Sequence, residues 1–128
     1  MAHFTEEYVY PDGSVYNGEW KALKRHGWGT FEDGNGDIYT GDWFNDKRQG
    51  TGTQKLHKGG QYKGEWKNDM KDGLGTYTYT GLSTYEGQWK ENKKHGNGTW
   101  TTIDGGAAIG KWVNDKRINP DECHLHRV

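Results

Sequence analysis

The sequence repeats itself every 23 residues, and this constant step constrains the fold more than any other feature. A Tyr-x-Gly-x-Trp motif occurs four times without an insertion or deletion, at 16–20, 39–43, 62–66 and 85–89. Six residues later a Gly-x-Gly-Thr motif follows each copy, at 27–30, 50–53, 73–76 and 96–99. Two motifs that keep one phase over four copies are the signature of a repeat protein whose units pack on their neighbours.

Each repeat predicts a β-hairpin. Tyr16, Gly18 and Trp20 are two residues apart, the spacing that places side chains on one face of a strand. A loop follows, then a second short strand around Gly29 and a turn such as Asp33-Gly34, because Asx and glycine residues favour tight turns. No segment has a helical period, so we expect essentially no α-helix before the C-terminal tail.

The repeat columns also predict the domain organisation. The chain opens with a half repeat at 4–13, and full repeats start near residues 15, 38, 61 and 84. A degenerate half repeat at 107–118 carries Ala108 where the other copies have tyrosine. We therefore predict one array over 1–118 with half-repeat caps, followed by a tail at 119–128 in which Pro120 cannot donate to a strand ladder.

Composition alone favours disorder, since 30% of the 128 residues are apolar and 21 are glycine. The placement of the 18 aromatic residues argues for an ordered fold, because 13 of them share three repeat columns. These are Tyr16, Tyr39, Tyr62 and Tyr85; Trp20, Trp43, Trp66, Trp89 and Trp112; and Tyr8, Phe31, Tyr77 and Trp100. If hairpins stack, we expect each ring to lie against the equivalent ring of the next repeat, with Gly18, Gly41, Gly64 and Gly87 leaving room. Glu19, Asp42, Glu65 and Gln88 alternate with the rings and should face away.

Charge and cysteine content limit the function classes. The 17 basic and 18 acidic residues nearly cancel, which disfavours nucleic-acid binding. One cysteine, Cys123, excludes an internal disulfide, and neither a secretory signal nor an 18-residue apolar run is present. A soluble protein in the reducing cytoplasm is the expectation.

The combined pattern resembles the MORN (membrane occupation and recognition nexus) repeat over about residues 4–118. The resemblance implies a single-layer antiparallel β-hairpin solenoid, curved like a trough, with the aromatic and glycine columns lining its interior groove. Relatives of this kind include radial-spoke head proteins of cilia, junctophilins and plant phosphatidylinositol phosphate kinases, in which the repeats act as binding or spacing modules. Gln54 departs from the pattern in an aromatic column, as Ala108 does in the tyrosine column.

The leading functional prediction is a non-enzymatic interaction module with no cofactor. Its aromatic groove would hold a helix or extended peptide of a protein partner. The predicted groove residues are Tyr16, Trp20, Tyr39, Trp43, Tyr62, Trp66, Tyr85 and Trp89. The resemblance points to an assembly subunit of a large cytoskeletal complex, such as a cilium or flagellum. The degenerate C-terminal end favours capping by the chain's own tail or by a second copy, so a homodimer is a further possibility.

The alternative is a membrane adaptor that binds anionic phospholipid or phosphoinositide. Stacking the loops would align nine cations along one edge, although neighbouring carboxylates would weaken their field. This basic loop stripe comprises Lys24, Arg25, Lys47, Arg48, Lys71, Lys93, Lys94, Lys116 and Arg117.

Two metal-like motifs and a possible catalytic column are weaker. Residues 33–37 resemble the opening of a calcium loop, but Phe44 stands where the loop needs glutamate. Cys123, His124 and His126 are zinc-type ligands without a fourth partner. His26 and His95 share a repeat column with Gln49 and Asp72, which disfavours a catalytic role, and no nucleophile–base arrangement is suggested. We therefore expect neither a metal site nor a catalytic residue.

Overall fold

The computed structural model describes residues 4–118, which form eleven strands and no helix. The strands are β1 (Phe4–Val9), β2 (Val15–Lys21), β3 (Lys24–Glu32), β4 (Ile38–Phe44), β5 (Lys47–Lys55), β6 (Gln61–Lys67), β7 (Met70–Thr78), β8 (Thr84–Lys90), β9 (Lys93–Thr101), β10 (Ala107–Val113) and β11 (Lys116–Ile118). They make one open antiparallel sheet in which the order in space equals the order in the chain. The prediction of an all-β, single-layer hairpin array is confirmed. The tail at 119–128 lies outside the described residues.

Two-residue turns close the hairpins β2–β3, β4–β5, β6–β7, β8–β9 and β10–β11. Both residues of each turn have positive φ, the geometry of a type I′ turn, which suits the twist of the flanking strands. Asn45 and Asp46 adopt φ values of 47° and 71°. The first turn instead uses Ala22 and Leu23, with φ of 51° and 65°. For such residues the left-handed conformation costs about 1 kcal/mol or more each.

Five-residue turns connect successive hairpins. In the first, the Tyr10 N–H donates to the Ser14 carbonyl oxygen at 2.8 Å, and Gly13 has a φ of 92°. Glycine holds this fourth position in four of the five turns of the described chain, because it reaches positive φ without strain. Leu82 occupies it in the remaining turn, with a φ of 70°.

The core is a continuous row of aromatic rings on one face of the sheet, here called the aromatic face. Ring centroids 4.9 to 5.5 Å apart, at interplanar angles of 75° to 90°, link nine side chains. In spatial order this ring ladder is Trp20, Tyr16, Trp43, Tyr39, Trp66, Tyr62, Trp89, Tyr85 and Trp112. The expectation that each ring lies against its equivalent in the next repeat is wrong. Each tyrosine instead packs edge-on between the tryptophan of its own repeat and that of the next.

The glycines let the ladder lie directly on the backbone. Gly64 and Gly75 are cross-strand partners, and the Tyr62 ring covers Gly75. A Cβ on Gly64 would overlap the Gly75 Cα, and a Cβ on Gly75 would overlap the Tyr62 ring and hydroxyl. Tyr62 Oη donates to the Glu65 carbonyl oxygen at 2.8 Å. The four ladder tyrosines, which are Tyr16, Tyr39, Tyr62 and Tyr85, make the same bond to the residue three positions on.

The face opposite the ring ladder carries the side chains that alternate with the rings, Glu19, Asp42, Glu65 and Gln88. Glu65 lies where a β-bulge shifts the register between Gly64 and Trp66, and its Oε1 accepts a hydrogen bond from the Leu74 N–H at 2.6 Å. Gln88 bonds the Asn97 N–H in the same way at 2.7 Å. These side chains face away from the rings as expected. They also have a structural role, since they satisfy backbone donors that the bulge leaves out of the ladder.

Candidate interaction surfaces

The predicted groove residues form the buried floor of the aromatic face. The four ladder tyrosines are 0 to 3% exposed, and Trp43, Trp66 and Trp89 are 4 to 5% exposed. Trp20, at the N-terminal end, is half-buried. The structure therefore brings all eight together, but it leaves seven of them little surface for direct contact with another molecule. Their role as partner anchors stays a prediction.

Burial changes the acidity of the ladder phenols. It raises the pKa of Tyr16 from 10.0 to about 12, because the charged phenolate would be desolvated. Burial also raises the pKa of Tyr39, Tyr62 and Tyr85 above the usual value. All four hydroxyls are therefore neutral donors at physiological pH, as their bonds to backbone carbonyls require.

Four cations of the predicted basic stripe cover the ring ladder instead of facing solvent. Arg25 Cζ lies 4.6 Å from the Trp43 ring centroid, and Arg48 Cζ lies 4.5 Å from that of Trp66. Lys71 and Lys94 occupy the same position in the next two repeats, with ring distances of 5.4 to 5.8 Å. Each is a partly desolvated cation–π contact, and burial lowers the pKa of Lys71. We call these four side chains the inner cations.

The inner cations also clamp each repeat to the next. The backbone N–H of Arg25 donates to Asp46 Oδ1 at 2.8 Å, and the Asp46 N–H donates back to the Arg25 carbonyl oxygen at 2.9 Å. The Arg25 guanidinium adds an ion pair with Asp46 at 3.2 Å. Arg48 repeats the set with Asp69, and Lys94 pairs with Asp115 at 3.8 Å. Three of the carboxylates near the stripe, Asp46, Asp69 and Asp115, are thus partners of its inner half, whereas the backbone N–H of Lys71 donates to the Asn92 side chain.

The outer half of the predicted stripe is exposed at the type I′ turns. Lys24, Lys47, Lys93 and Lys116 lie there, and Lys21, Lys67 and Lys90 flank the same edge. None of these seven lysines forms an ion pair with another residue of the region 4–118. We call them the lysine edge. Arg117 is also exposed, and its Nη2 donates to the Ile109 carbonyl oxygen at 3.3 Å.

A second row of aromatics lies beside the ladder and keeps part of its surface exposed. Phe31, Tyr77 and Trp100 are half-buried, and Tyr8 is 47% exposed. Gln54 interrupts this outer row between Phe31 and Tyr77. The repeat spacing predicts this column, but it does not predict that its members are the accessible rings.

A cleft of about 340 Å³ lies on the aromatic face at the interruption. Phe31, Tyr39, Trp43 and Gln54 supply its uncharged walls. Arg25 and Arg48 contribute two positive charges, and Asp33, Asp37 and Asp69 contribute three carboxylates. Because Asp46 and Asp69 already pair with the two arginines, the local balance is acidic.

The calcium-like segment is a hydrogen-bonded turn. Asp33 Oδ1 accepts from the Asn35 and Asp37 N–H groups, and Asp37 Oδ1 accepts from the His57 N–H at 2.8 Å. Residues 4–118 hold no group of three His, Cys, Asp or Glu side chains placed to bind a metal ion. The zinc-type ligands Cys123, His124 and His126 lie outside the described residues. No helix in the described part of the chain is long and apolar enough to cross a membrane.

The family model of the MORN repeat matches the chain four times, at residues 16–38, 39–61, 62–83 and 85–107. The chain belongs to the MORN-repeat family. Comparison with curated proteins gave no significant match. MORN repeats generally mediate protein or membrane-lipid interactions, and MORN-repeat proteins are typically non-enzymatic interaction modules.

Proposed function

We propose that this MORN array is a non-enzymatic scaffold that binds a segment of another protein along its aromatic face. The cleft at Gln54 carries the proposal, because it is the place where the outer aromatic row is interrupted. The half-buried rings of Phe31, which lines the cleft, and of Tyr77, the next member of the outer row beyond Gln54, offer apolar anchorage with little loss of side-chain entropy. The eight predicted groove residues are then the rigid floor under the partner, and Phe31 and Tyr77 are the contact rings.

The charges of the cleft indicate which segments fit best. Asp33 and Asp37 are not paired with a cation in the described residues, whereas both cleft arginines have aspartate partners. A helix or extended peptide with an apolar anchor and an adjacent basic residue complements this surface. The family analogy supports a role as an assembly subunit of a large cytoskeletal complex, such as a cilium or flagellum, in the cytoplasm.

Filling the cleft tests this function without removing a core contact. Gln54→Trp would restore the aromatic column and occupy the cleft, so the fold should be kept. Trp28→Ala is the control, because Trp28 is 54% exposed on the opposite face. We expect proteins that co-purify with the wild type and with Trp28→Ala to be lost with Gln54→Trp. Unchanged co-purification with Gln54→Trp, in a chain that keeps its circular dichroism, would reject the aromatic face as the binding surface.

The lysine edge supports a second candidate, an adaptor for anionic membranes. Its seven ammonium groups face solvent beside the exposed ring of Phe44, whereas the nearby aspartates pair with inner cations. Lysines near an anionic bilayer contribute roughly 1 kcal/mol each, and this attraction falls with salt. Co-sedimentation with phosphatidylserine vesicles, compared with phosphatidylcholine vesicles, tests it. Lys47→Glu and Lys93→Glu together should abolish salt-sensitive binding, and binding that ignores both salt and these changes would exclude the lysine edge.

A further inference from the structure

The two ends of the described sheet have open strand edges. In the part of the chain that the structure describes, β11 pairs with Lys111, Trp112 and Val113 of β10. The remaining edge of β10, from Ala107 to Gly110, has no strand partner within residues 4–118. Among the described residues, β1 likewise has a strand partner on one side only, which is β2. Open edges present unpaired backbone donors and acceptors, which another strand can satisfy.

The repeat register shows what fits between these edges. β1 occupies the repeat positions of the second half of β3, the part that pairs with Val15–Gly18 of β2. The open part of β10 occupies the repeat positions of 15–18. We propose that β1 of a second copy of this chain pairs with the open edge of β10, so that the array continues head to tail. The pairing opposes Ala107 to Val9, Ala108 to Tyr8, Ile109 to Glu7 and Gly110 to Glu6.

Two departures from the repeat become sterically complementary at this junction. Everywhere inside the array a ladder tyrosine covers the glycine of the following strand, so that no Cβ fits there. Glu6 stands in that glycine column, at the position of Gly29, and its side chain would collide with a tyrosine. Ala108 stands in the tyrosine column and has no ring. At the junction Ala108 therefore leaves the room that Glu6 needs.

One further departure, Leu23, makes the junction electrostatically complementary as well. Arg117 occupies the repeat position of Arg25, the residue that covers the tryptophan of the next repeat. If the array continues into the second copy, the tryptophan at the equivalent distance from Arg117 is Trp20 of that copy. Trp20 is only half-buried in the single chain. Leu23 of the second copy occupies the repeat position of Asp46, the aspartate that pairs with Arg25. Arg117 would therefore lack an aspartate partner there. Glu6 lines the cleft beside Trp20 and Leu23, and it would supply the missing carboxylate.

Exposed apolar side chains gather at the same two edges. Tyr8 and Val9 on β1 are 47% and 61% exposed, and Ile109 on β10 is 75% exposed. Pairing the strands would cover part of this surface. A contact of one strand is small, so we expect a weak association, with a dissociation constant of about 0.1 mM. Because the contact joins two different surfaces, it can add copies without closing.

Charge exchange tests the junction in the full-length chain. Sedimentation velocity from about 5 µM to about 0.5 mM should show a weight-average mass that rises with concentration. Glu6→Arg alone and Arg117→Glu alone should each weaken association about tenfold or more, because each places like charges together. An equimolar mixture of the two variants should associate again, since each junction between unlike variants joins opposite charges. Glu86→Arg and Lys47→Glu, equal charge changes at exposed central positions, should leave association unchanged.

Three outcomes would overturn the proposal. The first is a wild-type chain that stays monomeric over the whole concentration range. The second is association that Arg117→Glu weakens but Glu6→Arg does not, which indicates a symmetric contact between two C-terminal ends. The third is failure of the mixed variants to associate.

A steric pair gives an independent test. Ala108→Tyr would complete the ring ladder within one chain but place a ring where Glu6 must enter. We expect it to weaken association. Glu6→Gly in the same chain should restore part of the association, because the ring then fits although the charge pair with Arg117 is lost. Equal association of Ala108→Tyr and wild type would contradict the register.

Discussion

Replacement of Gly75 by alanine would place a methyl group inside the ring ladder. Its Cβ would overlap the ring and hydroxyl of Tyr62, which is fully buried. Tyr62 cannot swing aside, because Trp66 and Trp89 hold it from both sides at centroid distances of 5.2 and 5.3 Å. The backbone strands would have to separate, or the ring would have to leave its site.

The cost follows from these two contributions. Overpacking of a filled core costs about 1 to 3 kcal/mol. Displacement of the ring also breaks the 2.8 Å bond from Tyr62 Oη to the Glu65 carbonyl oxygen, and a buried polar group left unsatisfied costs about 1 to 3 kcal/mol. We therefore expect Gly75→Ala to lower the free energy of unfolding by about 4 kcal/mol. That is a large share of the 5 to 15 kcal/mol typical of a domain.

Urea unfolding followed by circular dichroism and tryptophan fluorescence measures this loss. With a slope of about 2 kcal/mol per molar urea, the midpoint should fall by about 2 M. Gly81→Ala is the matched control, because its Cβ would meet no atom within 4 Å and its φ lies outside the left-handed region. It should leave stability equal or raise it by up to about 1 kcal/mol. A loss below about 1 kcal/mol for Gly75→Ala would refute the claim that the ring rests on the backbone.

Three further predictions concern the turns, the inner cations and the ladder phenols. Leu23→Gly should stabilise the chain by about 1 kcal/mol, since Leu23 is 87% exposed at positive φ. Asp46→Gly at the equivalent turn position should destabilise the chain, because Asp46 pairs with Arg25. Thermal unfolding shows whether the two changes in stability have opposite signs. Arg48→Met should lower the free energy of unfolding by about 2 kcal/mol, because it removes the cation–π contact with Trp66 and the ion pair with Asp69. Lys47→Met, the control, should change the free energy of unfolding by less than about 0.5 kcal/mol in urea titrations. Alkaline unfolding should begin above pH 10, because burial raises the pKa of Tyr16 in the folded chain to about 12, whereas the pKa in the unfolded chain is 10.0. The stabilisation is fully present below pH 10. It falls by about 1.4 kcal/mol per ladder tyrosine for each pH unit as the pH rises towards the folded-state pKa. A stability that is flat from pH 9 to about pH 11.5 would show that the phenols are not buried.

The hairpins, the faces of their strands and the central strands could be predicted from the sequence. A spacing of two residues along a strand and a constant 23-residue repeat are local properties of the chain. The packing partner of each ring could not be taken from the step alone. Equivalent rings are separated by two strands, about 10 Å, which is too far for contact between centroids that pack at about 5 Å. Each tyrosine ring instead extends over the glycine of the intervening strand, as Tyr62 covers Gly75, and so fills the gap between two tryptophans.

The division of the basic stripe also follows from strand geometry. Lys24 and Arg25 are neighbours in sequence at the start of β3, and adjacent strand residues point to opposite sides. One therefore reaches solvent at the turn, and the other lies on the rings. What the sequence could not show is that Asp46, 21 residues away, bonds both the backbone and the guanidinium of Arg25. That contact depends on how the type I′ turn of one repeat reaches the preceding hairpin.

Residues that depart from the repeat pattern point to contacts outside the array. A residue type that recurs in all four repeats is explained by packing in the core, because every copy has the same neighbours. Gln54 breaks an aromatic column in the middle of the array, and a cleft lies there. Glu6 and Ala108 break the glycine and tyrosine columns at opposite ends, where each would be unfavourable inside the array but compatible with the other across a junction. The central and terminal departures share no contact, so a partner bound at Gln54 and a second copy joined at β10 are independent events. A chain that joined copies in this way would present the Gln54 cleft once in every copy, which converts a single binding site into a regularly spaced series of sites.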